Sequence, residues 1–361
     1  MVIIAVIISL SVLILAHEIG HFAAAKLFNV KVEEFGFGYP PRLFSRKIGE
    51  TTYSINLLPL GGFVHILGED EEQERSAAIE KGENTSTDTS RYFSRQSLPR
   101  RIIILTAGVA MNVLTGWLLF SAVYMVGSPS HLMISNVAQK SPAAEAGLRM
   151  NDIIMRAQVG SEIFSDPISN EQFIPAVKKA AGSNIVLDVD RAGERMTFSV
   201  STRANPPKGQ GAMGISLDEI GIERQSFFKA IGNGFIASMS VFWTIAKGFG
   251  SIISGLFTAP SAALQGVAGP VGIFNLATQT GKMGFVYLFQ LIALISMNLA
   301  VLNLIPFPAL DGGRVLFIII EKLKGSPVPQ GTQRIVNAIG FSALMLLMII
   351  VTIHDITNLS R

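Results

Sequence analysis

The sequence predicts a mainly α-helical polytopic membrane protein with four transmembrane helices and one inserted α+β domain. Of the 361 residues, 49% are hydrophobic and 15% are charged, and the mean hydropathy is +0.45. This composition is too apolar for an ordinary soluble enzyme of this length. Four apolar runs are long enough to cross a bilayer, and the stretch between the second and third runs contains segments of alternating polarity that are typical of β-strands.

The four predicted spans cover about 2–26, 102–126, 285–305 and 335–353. The last span is shorter than the others but suffices with little tilt. A cleaved signal peptide is the alternative interpretation of the first run. However, Met1-Val2-Ile3 offers no basic region, and the apolar stretch continues without a small-residue cleavage site. We therefore expect the first run to be a membrane span.

Basic residues predict the orientation of these spans. Lysine and arginine cluster in the loops between spans one and two and between spans three and four, whereas Gly127–Met133 has none. Both basic loops should therefore be cytoplasmic, and the N-terminus, the region from 127 to about 283 and the C-terminus should lie on the outer side. The net charge of +3 forms no continuous stripe, so we expect a lipid bilayer as partner and no nucleic acid. Cysteine is absent, which excludes disulfides and thiolate metal sites.

The outer region divides into two parts. Residues 134–203 alternate in polarity between turns and are predicted to form a small β-rich domain, whereas 204–265 form a linker and an amphipathic helix. Apolar residues recur every three or four positions over 228–257, and polar residues fill another face. This pattern favours a helix on the outer leaflet. A fifth span would also put the next basic loop on the wrong side. The membrane core then comprises 1–133 and 266–361.

The first span contains the sequence His17-Glu18-Ile19-Gly20-His21. On a helix, residues four apart share a face, so His17 and His21 can hold one Zn²⁺ while Glu18 acts as a general base on a water molecule. The alternative is a pair of core histidines beside an unrelated glutamate. An ionisable cluster is costly within a bilayer and is functional by default, which favours the metal site.

A hydrolytic zinc site needs a third protein ligand, and Asp311 is the candidate. It follows the third span in the run Asn303-Leu304-Ile305-Pro306-Phe307-Pro308-Ala309-Leu310-Asp311-Gly312-Gly313. Two prolines end the helix, and glycines let the backbone approach closely after the aspartate. The alternative is an interfacial loop with a helix-capping aspartate. Both motifs lie at the predicted cytoplasmic ends of their spans, so they can meet at one depth.

Together these features resemble the site-2 protease family, and within it the bacterial RseP-type intramembrane zinc metalloproteases. The resemblance rests on HExxH in the first span, NxxPxPxLDGG after the third, the run GPVGI before the third, and SPAAEAGLRMNDII, which is similar to PDZ domains of bacterial envelope proteases. It implies that His17, His21 and Asp311 are zinc ligands and that Glu18 is the general base. It further implies that Asn303 holds the substrate backbone or the oxyanion.

The segment Tyr53–Val64 resembles the membrane-re-entrant β-hairpin of this family, over about 50–66, with Gly61-Gly62 at a bend. Such an edge can receive a substrate that has been unwound into a strand. The alternative is a peripheral cytoplasmic hairpin. The complete predicted fold is thus a mainly α-helical polytopic membrane protein with four transmembrane helices, a membrane-re-entrant β-hairpin and an inserted α+β PDZ-like domain. A β-rich spacer that binds nothing is the alternative for that domain.

Two departures from the family pattern stand out. Where many relatives carry GPxxN at the start of the second span, this chain has Gly108-Val109-Ala110-Met111-Asn112, so no proline is present to kink the helix there. Some relatives have two tandem PDZ domains, whereas this chain has room for one, which puts any gating by a domain pair in doubt.

The resemblance implies a location in the bacterial inner membrane, with the PDZ-like domain on the periplasmic side and the active site toward the cytoplasm. It also implies substrates: single-span membrane proteins already trimmed by another protease, such as anti-sigma factors, and remnant signal peptides. One alternative is an ion transporter, which needs a continuous polar path and usually an internal repeat, and the sequence shows neither. Another is a silent scaffold, against which the intact Glu18 argues. The sequence does not indicate an oligomeric state.

Overall fold

The computed structural model describes residues 2–69, 89–191, 193–207, 209–258 and 269–359. In chain order, the elements are helix α1 (Val2–Leu27), strands β1 (Val32–Ile48) and β2 (Thr51–Ile66), two 3-10 turns (Thr89–Arg91 and Phe93–Arg95), α2 (Leu98–Val126), β3 (Ser128–Val137), α3 (Pro142–Glu145), β4 (Ile153–Val159), β5 (Glu162–Ser165), α4 (Asn170–Lys179), β6 (Asn184–Arg191), β7 (Glu194–Ser201), β8 (Ile215–Ile222), α5 (Phe227–Thr258), α6 (Pro270–Met283), α7 (Phe285–Leu304), α8 (Asp311–Lys324) and α9 (Gln330–Leu359).

The chain forms two compact units. The helical unit comprises Met1–Phe120, Asn233–Thr278 and Leu288–Arg361, and the sheet unit comprises Ser121–Gly232 and Gln279–Tyr287. Within the described part of the chain, five helices are long and apolar enough to cross a membrane: α1, α2, α5, α7 and α9. Four of them coincide with the predicted spans. The fifth, α5, occupies the range that the sequence assigns to a surface helix. Only 6% of its most apolar 18-residue stretch is buried.

Close helix contacts hold the helical unit together. Gly20 of α1 lies directly against α2, since a Cβ atom at this position would be 2.3 Å from the carbonyl oxygen of Ala107. Nearer the N-terminus of α1, Leu13 belongs to a buried cluster that also contains Leu288 and Ile292 of α7. A bare backbone contact brings α1 and α2 closer than side chains would allow, which fixes the helix that carries HExxH.

The β-region next to α1 is larger than predicted, because its pairing begins at Val32 and not at about 50. Phe35 lies opposite both Tyr53 and Val64, so the first part of β1 lies between the two halves of β2. The aromatic rings of Phe22 and Phe35 are 5.2 Å apart, which packs this sheet on α1. A single hairpin over 50–66 is thus too small a description. The additional strand, β1, precedes this range and has a weakly alternating sequence.

The sheet unit contains an antiparallel sheet in the order β7-β6-β4-β3-β8, with β5 paired to β4. Its core is aliphatic and aromatic, and includes Leu132, Ile134, Ile154, Ile168, Phe173, Ile185 and Leu187. The sheet exceeds the predicted range 134–203, because β3 starts at Ser128 and β8, in the predicted linker, pairs with it through Ile134 and Leu217. This partner lies far away in sequence, so local alternation cannot reveal the pairing.

Candidate metal centre

His17 and His21 lie on one face of α1, with 8% and 7% of their surfaces exposed. Their four-residue spacing brings the two Nε2 atoms to 3.2 Å of each other. The rings are nearly perpendicular, with an interplanar angle of 84°. Both rings therefore direct one nitrogen to the same point, as the helical periodicity predicts.

Asp311 is the first residue of α8, and a tight loop delivers it to the histidines. α7 ends at Leu304, two residues before Pro306, the first of the two prolines of the loop. Gly312 and Gly313 are required by close packing, since a Cβ atom at either position would lie 2.2 Å from a loop carbonyl oxygen, that of Ile305 or Phe307. Because α8 starts against this loop, the position of its first carboxylate is fixed.

The structure brings the three predicted ligand residues together. The Oδ2 atom of Asp311 lies 3.0 Å from Nε2 of His17 and 3.2 Å from Nε2 of His21. Among the described residues, they are the one group of three such side chains whose ligand atoms all lie within 4.8 Å of each other. Their role as ligands stays a prediction that this geometry supports.

The residues present fit a zinc ion. Oδ2 of Asp311 is buried, and its approaches to the two rings do not have hydrogen-bond geometry. The three donor atoms form a triangle with sides of 3.0, 3.2 and 3.2 Å. Ligands bound tetrahedrally to zinc at their usual bond lengths are about 3.3 Å apart. Two imidazoles and one carboxylate also form a donor set that is typical of catalytic zinc.

Helix α2 orients both rings. Nδ1 of His21 lies 2.8 Å from the carbonyl oxygen of Ile104, so Nδ1 carries the proton and Nε2 keeps its lone pair for a metal. Nδ1 of His17 lies 3.2 Å from the side-chain amide of Asn112. The rings rest on Gly108, where a Cβ atom would lie 2.4 Å from Nε2 of His21. The sequence assigned no role to Asn112. A carboxamide inside an apolar span is the signal that points to it.

The remaining predicted site residues lie around these ligands. Glu18 is next to Gly62, since a Cβ atom on Gly62 would be 3.2 Å from Cγ of Glu18. Gly61 packs against the ring of Tyr39 in the same way, at 2.7 Å. Nδ2 of Asn303 is 3.5 Å from Nε2 of His17. All seven predicted site residues thus belong to one neighbourhood of the helical unit.

Ion pairs tie the surrounding elements to each other. Arg314, one turn after Asp311 on α8, pairs with Glu69. Between β1 and β2, Glu50 accepts hydrogen bonds from Arg91 at 2.7 and 2.8 Å and from Lys26 at 2.6 Å. These contacts, that of Arg91 above all, lower the pKa of Glu50 to about 2. The β-region is therefore attached by charge to the end of α1 and to the turns that precede α2.

Known proteins of one family are similar to this chain over most of its length. The sequence profile of "Peptidase family M50" matches residues 5–347. A Clostridium perfringens protein whose name assigns it provisionally to the zinc metalloproteases is 33% identical over 356 residues, which cover 99% of this chain and 98% of that protein. "Zinc metalloprotease RasP" of Shouchella clausii is 30% identical over 424 aligned residues, 97% of each chain. "Regulator of sigma-W protease RasP" of Bacillus subtilis is 28% identical over 426, covering 99% and 98%.

These matches cover nearly the whole chain. They assign the chain to the metalloproteases and identify zinc as its metal. The long apolar helices make the protein an integral membrane protein. The chain therefore belongs to peptidase family M50, the site-2 protease family of zinc metalloproteases.

Proposed function

We propose that this protein hydrolyses peptide bonds within the transmembrane segments of single-span membrane proteins, at a zinc centre formed by His17, His21 and Asp311. The observation that carries the proposal is the convergence, at 3.0–3.2 Å, of two imidazole nitrogens and one unpaired carboxylate oxygen. The imidazoles belong to α1 and the carboxylate follows α7, and both of these helices are apolar enough to lie in a bilayer. Zinc held by three protein ligands supplies Lewis-acid activation of water and of a peptide carbonyl.

The other residues of the site bind substrate and transfer protons. Glu18 takes the proton of the attacking water and delivers it to the leaving amine, because its side chain lies beside the ligands without being one of them. The amide of Asn303 holds the substrate backbone or its developing oxyanion. Gly62 pairs with Phe37 of β1 and lies next to Glu18, so an unwound substrate that joins this sheet beside Gly61-Gly62 lies within reach of the base.

The same geometry supports four crossings. α1 and α7 both carry their ligands at or beyond their C-terminal halves, so the two helices run in the same direction through the membrane, and α2 returns between them. The chain from the end of α2 to the start of α7 then begins and ends on one side. This requires an even number of crossings in between. α6 has 14 residues, about 21 Å of helix, which is too short to span, so α5 does not cross either and lies in the outer leaflet.

In the sequence, the strands of the sheet unit lie between α2 and α7. We propose that it is a PDZ-like domain on the periplasmic face of the inner membrane, and that it admits only substrates already trimmed by another protease. The relative named as a regulator of sigma-W supports anti-sigma factors as the substrate class, with remnant signal peptides as a further one. A bulky ectodomain is excluded sterically.

The decisive experiment combines zinc content with cleavage of a membrane-embedded peptide by the purified full-length protein. Glu18→Gln should retain zinc and lower turnover by about 10²–10⁴-fold, because only the base is lost. Glu33→Gln, at a half-exposed position of β1, is the matched control and should leave both unchanged. Near-normal turnover of Glu18→Gln, or a wild-type protein without zinc, contradicts the proposal.

Substrate selection has its own test. Replacing residues 128–222 with a flexible linker removes the strands of the sheet unit. The variant should cleave untrimmed substrates that the wild type rejects, and should cleave a trimmed one at a similar rate. Zinc content is the control for an intact helical unit. If selectivity is unchanged in a variant that still binds zinc, the sheet unit does not select substrates.

A further inference from the structure

We infer that Asn112 is a positioning residue for the metal centre: its side-chain oxygen accepts a hydrogen bond from Nδ1–H of His17 and so directs the Nε2 lone pair of this ring to the ion. The inference rests on the proposed function, because it assigns a partner to one of the proposed ligands. Asn112 lies on α2 and His17 on α1, so the contact joins the two helices that also touch at Gly20.

Asn112 is held rigidly. It is fully buried, and its backbone carbonyl oxygen accepts a hydrogen bond of 2.8 Å from the hydroxyl of Ser296 on α7. Its side-chain amide lies 3.2 Å from Nδ1 of His17. A carboxamide in an apolar span is costly unless both of its ends have partners. One of its ends, Oδ1, is buried without a hydrogen-bond partner.

The protons of the pair determine the orientation of the amide. A neutral imidazole has one N–H, and a ring that binds a cation through Nε2 carries this proton on Nδ1. The amide nitrogen of Asn112, facing Nδ1, would then place two donors against each other while Oδ1 stays unpaired. Rotating the amide by 180° about the Cβ–Cγ bond exchanges its two ends. Oδ1 then accepts from Nδ1–H, and one movement resolves both defects.

The two ligand rings acquire equivalent supports in this arrangement. The carbonyl oxygen of Ile104 accepts from Nδ1–H of His21 at 2.8 Å, and Oδ1 of Asn112 does the same for His17. Such outer partners fix the tautomer and the orientation of a ligand, and their loss typically weakens metal binding by about 10–100-fold. For His17, the support is a side chain and can therefore be tested by substitution.

The test measures the zinc dissociation constant of the full-length protein by chelator competition. Asn112→Leu removes the acceptor at similar volume and should weaken zinc binding by about 10–100-fold. Asn112→Asp restores an acceptor and should bind zinc more tightly than Asn112→Leu. Ser121→Ala, another fully buried polar position on α2, is the control and should not change the affinity.

A packing role gives the opposite order, because an aspartate that accepts no proton from His17 is an unpaired buried charge. Wild-type affinity in Asn112→Leu, or weaker binding by Asn112→Asp than by Asn112→Leu, overturns the inference. Absorption of the Co²⁺-substituted proteins is a second readout: the Asn112→Leu spectrum should differ from that of the wild type, and an identical one contradicts the role. A wild-type protein that binds no zinc would refute the metal centre itself, whereas failure of the Asn112 variants alone leaves it standing.

Discussion

Replacing Gly108 with alanine should displace the ligand rings without removing any of their donor atoms. The added Cβ atom would lie 2.4 Å from Nε2 of His21 and 2.6 Å from Cε1 of His17. Ordinary carbon contacts begin at about 3.5 Å, so one ring or the helix must move by about 1 Å. Neither ring can swing away freely, since Ile104 and Asn112 hold their Nδ1 atoms.

Two consequences follow for Gly108→Ala. Overpacking of this kind costs about 1–3 kcal/mol of stability, and a displacement of about 1 Å at a reacting centre can cost about 10²-fold in rate. We therefore expect weaker zinc binding and turnover lowered by about two orders of magnitude. Chelator competition and cleavage of a membrane-embedded peptide measure the two effects.

The matched control is Gly248→Ala on α5, where an added Cβ atom has no neighbour within 4 Å. Alanine has the higher helix propensity, so this variant should keep zinc binding and turnover. If Gly108→Ala binds zinc and cleaves like the wild type, the close packing of the rings on α2 does not determine the ligand geometry, and the reasoning from this contact is refuted.

Two further predictions concern contacts away from the ligands. Asp355 on α9 accepts a hydrogen bond of 2.7 Å from the backbone N–H of Gly272 in the first turn of α6. Asp355→Ala should therefore lower the free energy of unfolding by about 1 kcal/mol, which thermal melting in detergent measures. An unchanged melting temperature would count against this helix cap. Glu50 has a pKa lowered from its ordinary 4.5 to about 2 by Arg91 and Lys26, so its stabilising contribution is complete above pH 4.5 and is lost as the pH falls toward 2. Glu50→Gln should flatten the pH dependence of thermal stability across this interval, and an unaltered slope would exclude the ion pair as its cause.

The residues of the candidate site can be proposed from the sequence because each motif is local. The four-residue spacing of His17 and His21 needs only a helix, and the prolines before Asp311 end α7 wherever it packs. The prediction that the two motifs lie close together rests only on their depth in the membrane, because both lie near the same end of an apolar span. Length and hydropathy likewise locate α1, α2, α7 and α9 to within a few residues at most ends.

What the sequence does not predict depends on contacts between distant segments. The reason for Gly108 is visible only when α1 lies against α2, and the donor and acceptor of the Asn112 pair come from different helices. β8 joins β3 across the whole sheet unit. The first part of β1 pairs on both sides, and its partners are two halves of β2 that lie apart in the sequence. α5 remains ambiguous by composition, because its residues satisfy both the length of a span and the pattern of a surface helix.

The bare backbone contact between Gly20 and Ala107 places α1 directly against α2, two residues from Glu18. A substrate cannot pass between α1 and α2 unless the two helices separate at the level of the ligands. Such a separation would displace the histidine rings that α2 orients. Gly62 borders Glu18 and carries no side chain of its own. A bulky residue at this position should therefore obstruct the approach of both water and the scissile bond to the glutamate.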